Sequence, residues 1–203
     1  MSETAVVEPT GKRERSKAAN RDAILAAARR VFAQLGYEAA TVRDVIRGTD
    51  LASGTFYNYF RSKEEVFEAL ADDGAARFKP LLRAARENAK SFEDYLNRAL
   101  GAYFQFLVDE NSLEGRPVDE RRPHVRTDTP EMMAVYAEVR QGLEEAIARG
   151  MAPPVDADYL ACACIGMAQE IGAAMLRRSP PGVEEAARFA ASLILRGLAG
   201  AAR

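Results

Sequence analysis

The chain has 203 residues, a hydrophobic content of 48%, a charged content of 29% and a formal net charge of −2. These values are typical of a globular protein that is long enough to bury a core, and they exclude a uniformly basic nucleic-acid-binding chain. The two cysteines, Cys162 and Cys164, exclude a disulfide framework. Their i, i+2 spacing points them to different sides of a helix, which disfavours a metal shared between them. No metal site and no cofactor are expected.

The charge is distributed unevenly along the chain. Residues 1–63 carry eleven basic and seven acidic side chains, a net charge of +4, and the remainder carries −6. A basic end and an acidic body suit a protein that docks DNA through one end only. No apolar run reaches the ~18 residues of a membrane span. The N-terminus also lacks the apolar region of a signal peptide, so we expect a cytoplasmic protein without a membrane partner.

Helical patterns dominate the sequence. We expect residues 1–15 to be a disordered arm, in which Lys12–Arg15 serve either as phosphate contacts or as a solvated tail. The rest shows no strand-like alternation, which predicts an all-α fold. Gly74 and Pro80 are expected to kink or end the fourth helix. The helices are predicted at 17–35, 42–48, 53–60, 63 to the high seventies, 92–108, 130–149, 157–177 and 183–199, with a polar, loop-like stretch at 109–128.

The segment 41–63 is the most informative, because it contains two short predicted helices joined by a tight turn. Thr41 begins a T-x-x-D capping box on the first helix, and Ser53 is predicted to cap the second. On the second helix Phe56 and Phe60 lie four residues apart and share an apolar face, which leaves Thr, Tyr and Asn on the outer side. This pattern fits a helix that enters a DNA major groove, and an ordinary helical hairpin is the alternative.

Residues Ile24 to Leu70 resemble the DNA-binding domain of TetR-type transcriptional repressors. The resemblance is carried by AILAAARRVFAQLGYEAATVRDV and SGTFYNYFRSKEEVFEAL, of which GTFYNYF-x-SK is the most specific part. Two positions depart from the usual pattern. Asp50 stands where the inter-helix turn normally has Gly, and Ile46 stands where a small residue is usual. Asp tolerates a left-handed conformation better than most residues, so the turn can form.

The resemblance implies a three-helix helix-turn-helix DNA-binding domain at 16–62, followed by a larger helical ligand-binding and dimerisation domain at 63–203. It implies a homodimer that binds a palindromic operator in double-stranded DNA and is released by a small-molecule effector. The last two predicted helices mix large apolar residues with Ala and Gly, so they can form a four-helix bundle in a two-fold dimer; alternatively, they close the monomer core.

The predicted DNA contacts lie on the two short helices and just after them. Thr41 is expected to hold a phosphate, and Arg43 can reach a phosphate or a base edge. By resemblance the two tyrosines of the second helix contact phosphate or base, and Lys63 clamps a phosphate. The complete predicted set is Thr41, Arg43, Ser53, Gly54, Thr55, Tyr57, Asn58, Tyr59 and Lys63.

The predicted effector site is apolar. Aromatic and Met side chains with a few hydroxyls suit an apolar or aromatic ligand, although each of these residues also fits plain core packing. The candidates are Phe78, Leu82, Tyr95, Tyr103, Phe106, Met133, Tyr136 and Met167, with His124 at the pocket mouth.

Enzyme chemistry is not expected. His124 is the only histidine, and the chain has no nucleophile elbow, HExxH, CxxC, GxGxxG or P-loop motif. The sequence therefore favours a ligand-responsive repressor. The alternatives are a DNA-binding regulator that is independent of a ligand or controlled by a partner protein, and, from another class, a helical enzyme or carrier.

Overall fold

The computed structural model describes residues 11–114 and 129–201, and within these ranges it contains eight helices and no strand. The predicted all-α class is confirmed. The helices are α1 (Lys12–Leu35), α2 (Val42–Arg47), α3 (Ser53–Tyr57), α4 (Lys63–Glu87), α5 (Phe92–Glu114), α6 (Pro130–Ala148), α7 (Ala157–Leu176) and α8 (Val183–Ala201). They group into two compact units, the smaller ending at Ala69 and the larger beginning at Leu70, so the division falls inside α4.

Several helix ends differ from the prediction. α1 already begins at Lys12, so Lys12–Arg15 are helical rather than part of a disordered arm, and residues 1–10 lie outside the described ranges. Lys, Arg, Glu and Ala are good helix formers, and they extend α1 without a capping side chain. Ser53 does not cap α3, because Ala52 occupies the N-cap and Ser53 is the first helical residue.

Two helices run further than the sequence predicted. α4 does not end at Pro80, whose ring is exposed to solvent, but continues to Glu87. α5 continues to Glu114, well into the stretch that was predicted to be loop-like, while 115–128 lie outside the described residues.

The smaller unit is built around four buried side chains, one from each of α1 to α4. Ile24, Val45, Phe56 and Val66 are each at most 1% exposed. Phe60 is also buried, with its ring centroid 6.1 Å from that of Phe56, so the predicted core position of both phenylalanines is confirmed. α3 is thereby held by burial of its inner face rather than by its own length.

In the larger unit α5 packs against α7 and α8, and α6 packs against α7. The fully buried Phe104 and Leu143 lie at the centre of this core. Four alanines of α8 are buried with them, and such small side chains let helices approach closely. The four are Ala186, Ala187, Ala190 and Ala191.

A buried acid joins α4 to α6. Glu138 is only 5% exposed, and its carboxylate lies 2.9 Å from Arg86 Nη2 and 3.4 Å from Arg83 Nη2. Arg86 also contacts Glu145, two turns further along α6. Removing one member of such a buried cluster leaves an uncompensated charge, so the cluster constrains how α4 sits on α6.

The helix α7 is long and apolar on average, although charged and polar residues interrupt its apolar run. It has 20 residues and a mean hydropathy of 1.4, so length and composition alone would allow it to cross a membrane. Only 22% of its apolar stretch is buried inside the protein. α7 therefore leaves apolar surface uncovered in the isolated chain.

Substituting Gly142 tests the tight contact between α6 and α5. A Cβ at this position would overlap the hydroxyl of the buried Tyr95 and lie 3.3 Å from Arg86 Cδ. We expect Gly142→Ala to destabilise the protein by roughly 1–3 kcal/mol in chemical unfolding, as overpacking does. Gly101→Ala is the control, because no atom lies within 4 Å of that Cβ. Alanine has a higher helix propensity than glycine, so Gly101→Ala should leave the stability unchanged or slightly raised. Equal losses of stability in both variants would refute the close approach of Gly142 to Tyr95.

Candidate nucleic-acid interface and effector cavity

The N-terminus of α2 has the predicted capping box. Asp44 N–H donates to Thr41 Oγ1 at 3.3 Å, and Thr41 N–H donates to the Asp44 carboxylate at 3.0 Å. The Thr41 hydroxyl also donates to this carboxylate at 2.5 Å. These bonds, first from the side chain and then from the backbone of Thr41, lower the pKa of Asp44. The start of α2 is thus fixed while Thr41 remains exposed.

The outer side of α3 consists of side chains suited to contacting nucleobases and phosphates. Tyr57 is 56% exposed, and Asn58, Ser53 and Gly54 are exposed with it. Thr55 and Tyr59 are half-buried at the edges of this side. The Tyr57 ring stands edge-on to the buried Phe56 ring, with 5.4 Å between centroids, so the core orients the exposed tyrosine. A helix anchored on one side and bearing hydroxyl and amide groups on the other can enter a major groove.

Arginines surround the short helices. Arg43 and Arg47 are exposed on α2, and Arg47 lies 3.7 Å from Asp44. Arg30 Nη2 donates to Gly48 O at 3.0 Å and so links α1 to the end of α2. The guanidinium of Arg21 lies 5.7 Å from the Phe60 ring centroid. The roles of Arg21 and Arg30 were missed from sequence, because a backbone carbonyl and a ring face leave no sequence pattern.

Lys63 makes contacts that the sequence did not predict. Its ammonium donates to the carbonyl oxygens of Tyr37, Glu38 and Ala40 at 3.0, 3.3 and 3.3 Å. An ammonium has three N–H donors, so all of them are used within the protein. In this structure the Lys63 ammonium is directed at these carbonyl oxygens, and the phosphate clamp stays a prediction.

The larger unit contains a cavity of about 300 Å³ whose wall comes from α4 to α8. Six of the predicted effector residues lie along it, namely Phe78, Leu82, Tyr95, Tyr103, Phe106 and Tyr136. Met133 does not: it is 53% exposed, and Met132 lines the cavity in its place, an error of one residue in helical register. Met167 also lies outside the wall, which α7 supplies through residues such as Cys164 and Ala168. The predicted His124 lies outside the described residues.

The part of the cavity wall formed by described residues is apolar and uncharged. Its polar groups are three tyrosine hydroxyls, the Gln169 amide and the Cys164 thiol. Burial, more than any neighbouring charge, raises the pKa of Tyr95 far above its ordinary value, and burial raises the pKa of Cys164 to about 11. Both groups are therefore neutral at pH 7. Such a wall suits an apolar or aromatic molecule better than a charged one.

The outer faces of α7 and α8 carry exposed apolar and small residues. Tyr159 is 78% exposed on α7, with the exposed Gly166 two turns further along. On α8 Phe189 is 61% exposed and Leu193 is exposed one turn later. The apolar residues predicted for the dimer surface divide into two sets. Cys164, Met175, Ala190 and Ile194 are buried in the monomer core, whereas Phe189, Leu193 and Gly197 are exposed.

Metal-ligating side chains are scattered rather than clustered. Among residues 11–114 and 129–201, no three His, Cys, Asp or Glu side chains are grouped closely enough to hold a metal ion.

Comparison with known proteins identifies the N-terminal domain. Residues 24–70 match the family model described as bacterial regulatory proteins, tetR family. The HTH-type transcriptional repressor AcnR of Corynebacterium efficiens is 47% identical over 58 residues, which are 29% of this chain and 31% of AcnR. The chain spans less than half the length of the curated relatives that it matches first.

Two solved structures share the fold over most of the chain. The TetR family transcriptional regulator PfmR of Thermus thermophilus has a TM-score of 0.66 at 23% identity, covering 86% of this chain and 98% of PfmR. The transcriptional regulator FadR of Bacillus subtilis was solved in complex with stearoyl-CoA. It has a TM-score of 0.71 at 16% identity, covering 87% of this chain and 98% of FadR. At these identities the likeness establishes the fold. The predicted resemblance is thus confirmed: residues 24–70 match the tetR family, and the chain has the fold of TetR-family regulators.

Proposed function

We propose that this protein is a cytoplasmic, homodimeric transcriptional repressor that leaves a palindromic operator when an apolar or aromatic molecule occupies the cavity of the larger unit. The observation that carries the DNA-binding part is the exposed side of α3, presented by a buried Phe pair inside the matched domain. The curated relative AcnR is itself a transcriptional repressor.

The DNA contacts are assigned by exposure and chemistry. Arg43 and the N-terminal end of α2 with Thr41 face phosphate or a base edge. The groove side is supplied by α3 and the two residues that follow it, namely Ser53, Gly54, Thr55, Tyr57, Asn58 and Tyr59. Two copies of α3, one per protomer, would read half-sites about one helical turn apart.

The effector class follows from the neutral wall of the cavity. A volume of about 300 Å³ lies at the lower end of the range for small-molecule sites. The structural neighbour FadR of Bacillus subtilis holds stearoyl-CoA, which supports an apolar acyl chain as one candidate and leaves aromatic molecules as the other. The ligand acts by favouring a dimer in which the two α3 helices no longer match the half-sites.

The dimer surface is assigned to the exposed apolar face of α7 and α8. An uncovered patch of Tyr159, Phe189 and Leu193 is the kind of surface that marks a protein interface. The exposed small residues Gly166 and Gly197 let helices from two protomers approach closely. Covering this patch also explains why a long apolar helix such as α7 is compatible with a protein in water.

Replacing Tyr57 by Phe tests the α3 assignment. The operator would first be obtained by selecting random duplexes with the purified protein and sequencing them. Tyr57→Phe removes one hydroxyl from an exposed ring, so we expect binding to weaken by about 1 kcal/mol, roughly fivefold, with the melting temperature unchanged. Unchanged affinity in a gel-shift titration would remove Tyr57 from the interface.

Filling the cavity tests the effector site. Ala99 lines it from α5, and a Phe there should occupy much of its volume. We expect acyl-CoA or small aromatic probes to raise the melting temperature of the unmodified protein and to release it from its operator, since ligand at 100 times its Kd adds about 2.7 kcal/mol of stability. Ala99→Phe should bind the operator but lose both responses. Ala84→Phe, at an exposed position on α4, is the control; an equal response in both variants would place the ligand elsewhere.

Charging the α8 face tests the dimer. Phe189→Asp would place a carboxylate in the proposed interface, and like charges would face each other across the two-fold axis. We expect monomers by light scattering and a loss of operator binding. Leu81→Asp is the matched control, because Leu81 is an exposed leucine on α4 outside this face. Dimers of undiminished stability in Phe189→Asp would overturn the assignment of α8.

A further inference from the structure

The cavity of the larger unit has two ends that differ in burial. α4 runs along it from Gly74, which lies near the Phe106 ring, to Arg86, which lies near Gly142 of α6. At the Gly74 end the wall residues Met132 and Tyr136 are partly exposed. At the other end, called the inner end here, five wall residues are each at most 7% exposed, namely Leu82, Tyr95, Leu96, Leu143 and Cys164.

Tyr95 has a fixed position at the inner end. Its hydroxyl lies against the backbone of Gly142, so closely that a Cβ on this glycine would overlap it. The same Cβ would lie 3.3 Å from Arg86 Cδ, so the hydroxyl is confined between α6 and the arginine stem. On the other side the Tyr95 ring lies 6.4 Å from the Phe92 ring, centroid to centroid. Packing therefore decides where this hydroxyl is presented to the cavity.

The Tyr95 hydroxyl has no hydrogen-bond partner among the described residues, and no hydrogen bond contributes to the shift of its pKa. A buried hydroxyl without a partner is costly, because it has lost its bonds to water. Around it the wall is made of leucines and the Cys164 thiol, which is only a weak donor and acceptor. A water molecule needs two to four polar partners, so this end offers it little. The hydroxyl is better suited to a ligand that brings one polar group.

The polar group of that ligand must be neutral. The nearby guanidinium of Arg86 is already used, since it contacts the carboxylates of Glu138, at 2.9 Å, and Glu145. Burial is the main reason that the pKa of Tyr95 is raised, and these two carboxylates add to the effect. A ligand carboxylate at the inner end would meet the same burial and the same negative charges.

We propose that Tyr95 determines the ligand specificity of the cavity: its hydroxyl forms a hydrogen bond with a neutral polar group, such as a phenol hydroxyl, on a compact aromatic effector. This inference rests on the proposed function and selects between the two ligand classes considered there. The terminal methyl of an acyl chain at the inner end would leave the hydroxyl unpaired. A phenol pairs with it, and its ring fills the apolar remainder of the cavity.

The first measurement uses the unmodified protein at pH 7 and probes that share one ring system: 2-naphthol, naphthalene and 2-naphthoate. Isothermal titration gives the affinity of each. We expect 2-naphthol to bind about tenfold more tightly than naphthalene or better, because naphthalene leaves the buried hydroxyl unpaired. 2-Naphthoate is charged at this pH and should bind about tenfold more weakly than 2-naphthol or worse.

The second measurement repeats the titrations with Tyr95→Phe, which removes the hydroxyl and keeps the ring. We expect 2-naphthol to bind about tenfold more weakly and naphthalene to bind equally well or better, so that the preference disappears. A general disturbance of the cavity would weaken both probes, and the ratio of their affinities therefore isolates the hydroxyl. Tyr37→Phe is the matched control, because it makes the same change at a half-buried tyrosine of the smaller unit and should alter neither affinity.

Equal affinities of 2-naphthol and naphthalene for the unmodified protein would overturn the inference, and so would a preference that survives in Tyr95→Phe. Loss of the preference in Tyr136→Phe alone would place the polar group at the partly exposed end and overturn it too. If palmitoyl-CoA releases the operator while 2-naphthol neither binds nor releases it, the proposed function stands and this inference fails. If neither class of probe binds and the operator is retained, both fail.

Discussion

Burial of Phe56 is the interaction on which the DNA-binding unit depends. α3 has only five residues, and a helix that short has no stability of its own in water. It exists because Phe56 completes a core to which α1, α2 and α4 contribute the fully buried Ile24, Val45 and Val66. The same burial turns Tyr57 and Asn58 outward. The orientation of these exposed side chains is therefore set by the packing of Phe56 on the opposite side of the chain.

In the larger unit, the corresponding constraint is the separation of charge from the cavity. Glu138 is buried on α6, yet its charge is directed to Arg83 and Arg86 of α4, and no charged side chain of the described residues reaches the cavity wall. The backbone of Gly142 lies close to both Arg86 and Tyr95, so only a residue without a side chain fits between the ionic cluster and the cavity-lining ring. An apolar ligand requires a cavity with a neutral wall, because an unpaired charge in the wall would bind water instead. Pairing of Glu138 with the two arginines keeps its charge away from that wall.

Local patterns were readable from sequence, and long-range hydrogen bonds were not. The Thr41 capping box, the buried Phe pair and six cavity residues follow from spacing along single helices. Met132 rather than the predicted Met133 lines the cavity, because neighbouring residues differ by 100° around a helix and the apolar stripe did not decide between the two methionines. The contacts of Lys63 were not predicted for another reason: its partners are backbone carbonyls some 25 positions away, and every residue has a carbonyl, so the sequence does not mark them. α1 begins earlier than predicted, at Lys12, because the helix propensity of residues 12–15 outweighs the tendency of a charged segment to remain unfolded.

The two faces of α7 connect the cavity to the proposed dimer surface. Cys164 and Ala168 line the cavity, whereas Cys162 and Gly166 of the same turns face outward. A packed helix moves as a rigid element, so a ligand that displaces the inner face by a fraction of an ångström must displace the outer face with it. α8 has the same construction, with Ile194 on the cavity and Leu193 on the outside. If the outer faces pair two protomers, as proposed, cavity occupancy and dimer geometry cannot vary independently, and this coupling would be the physical basis for the proposed release from the operator.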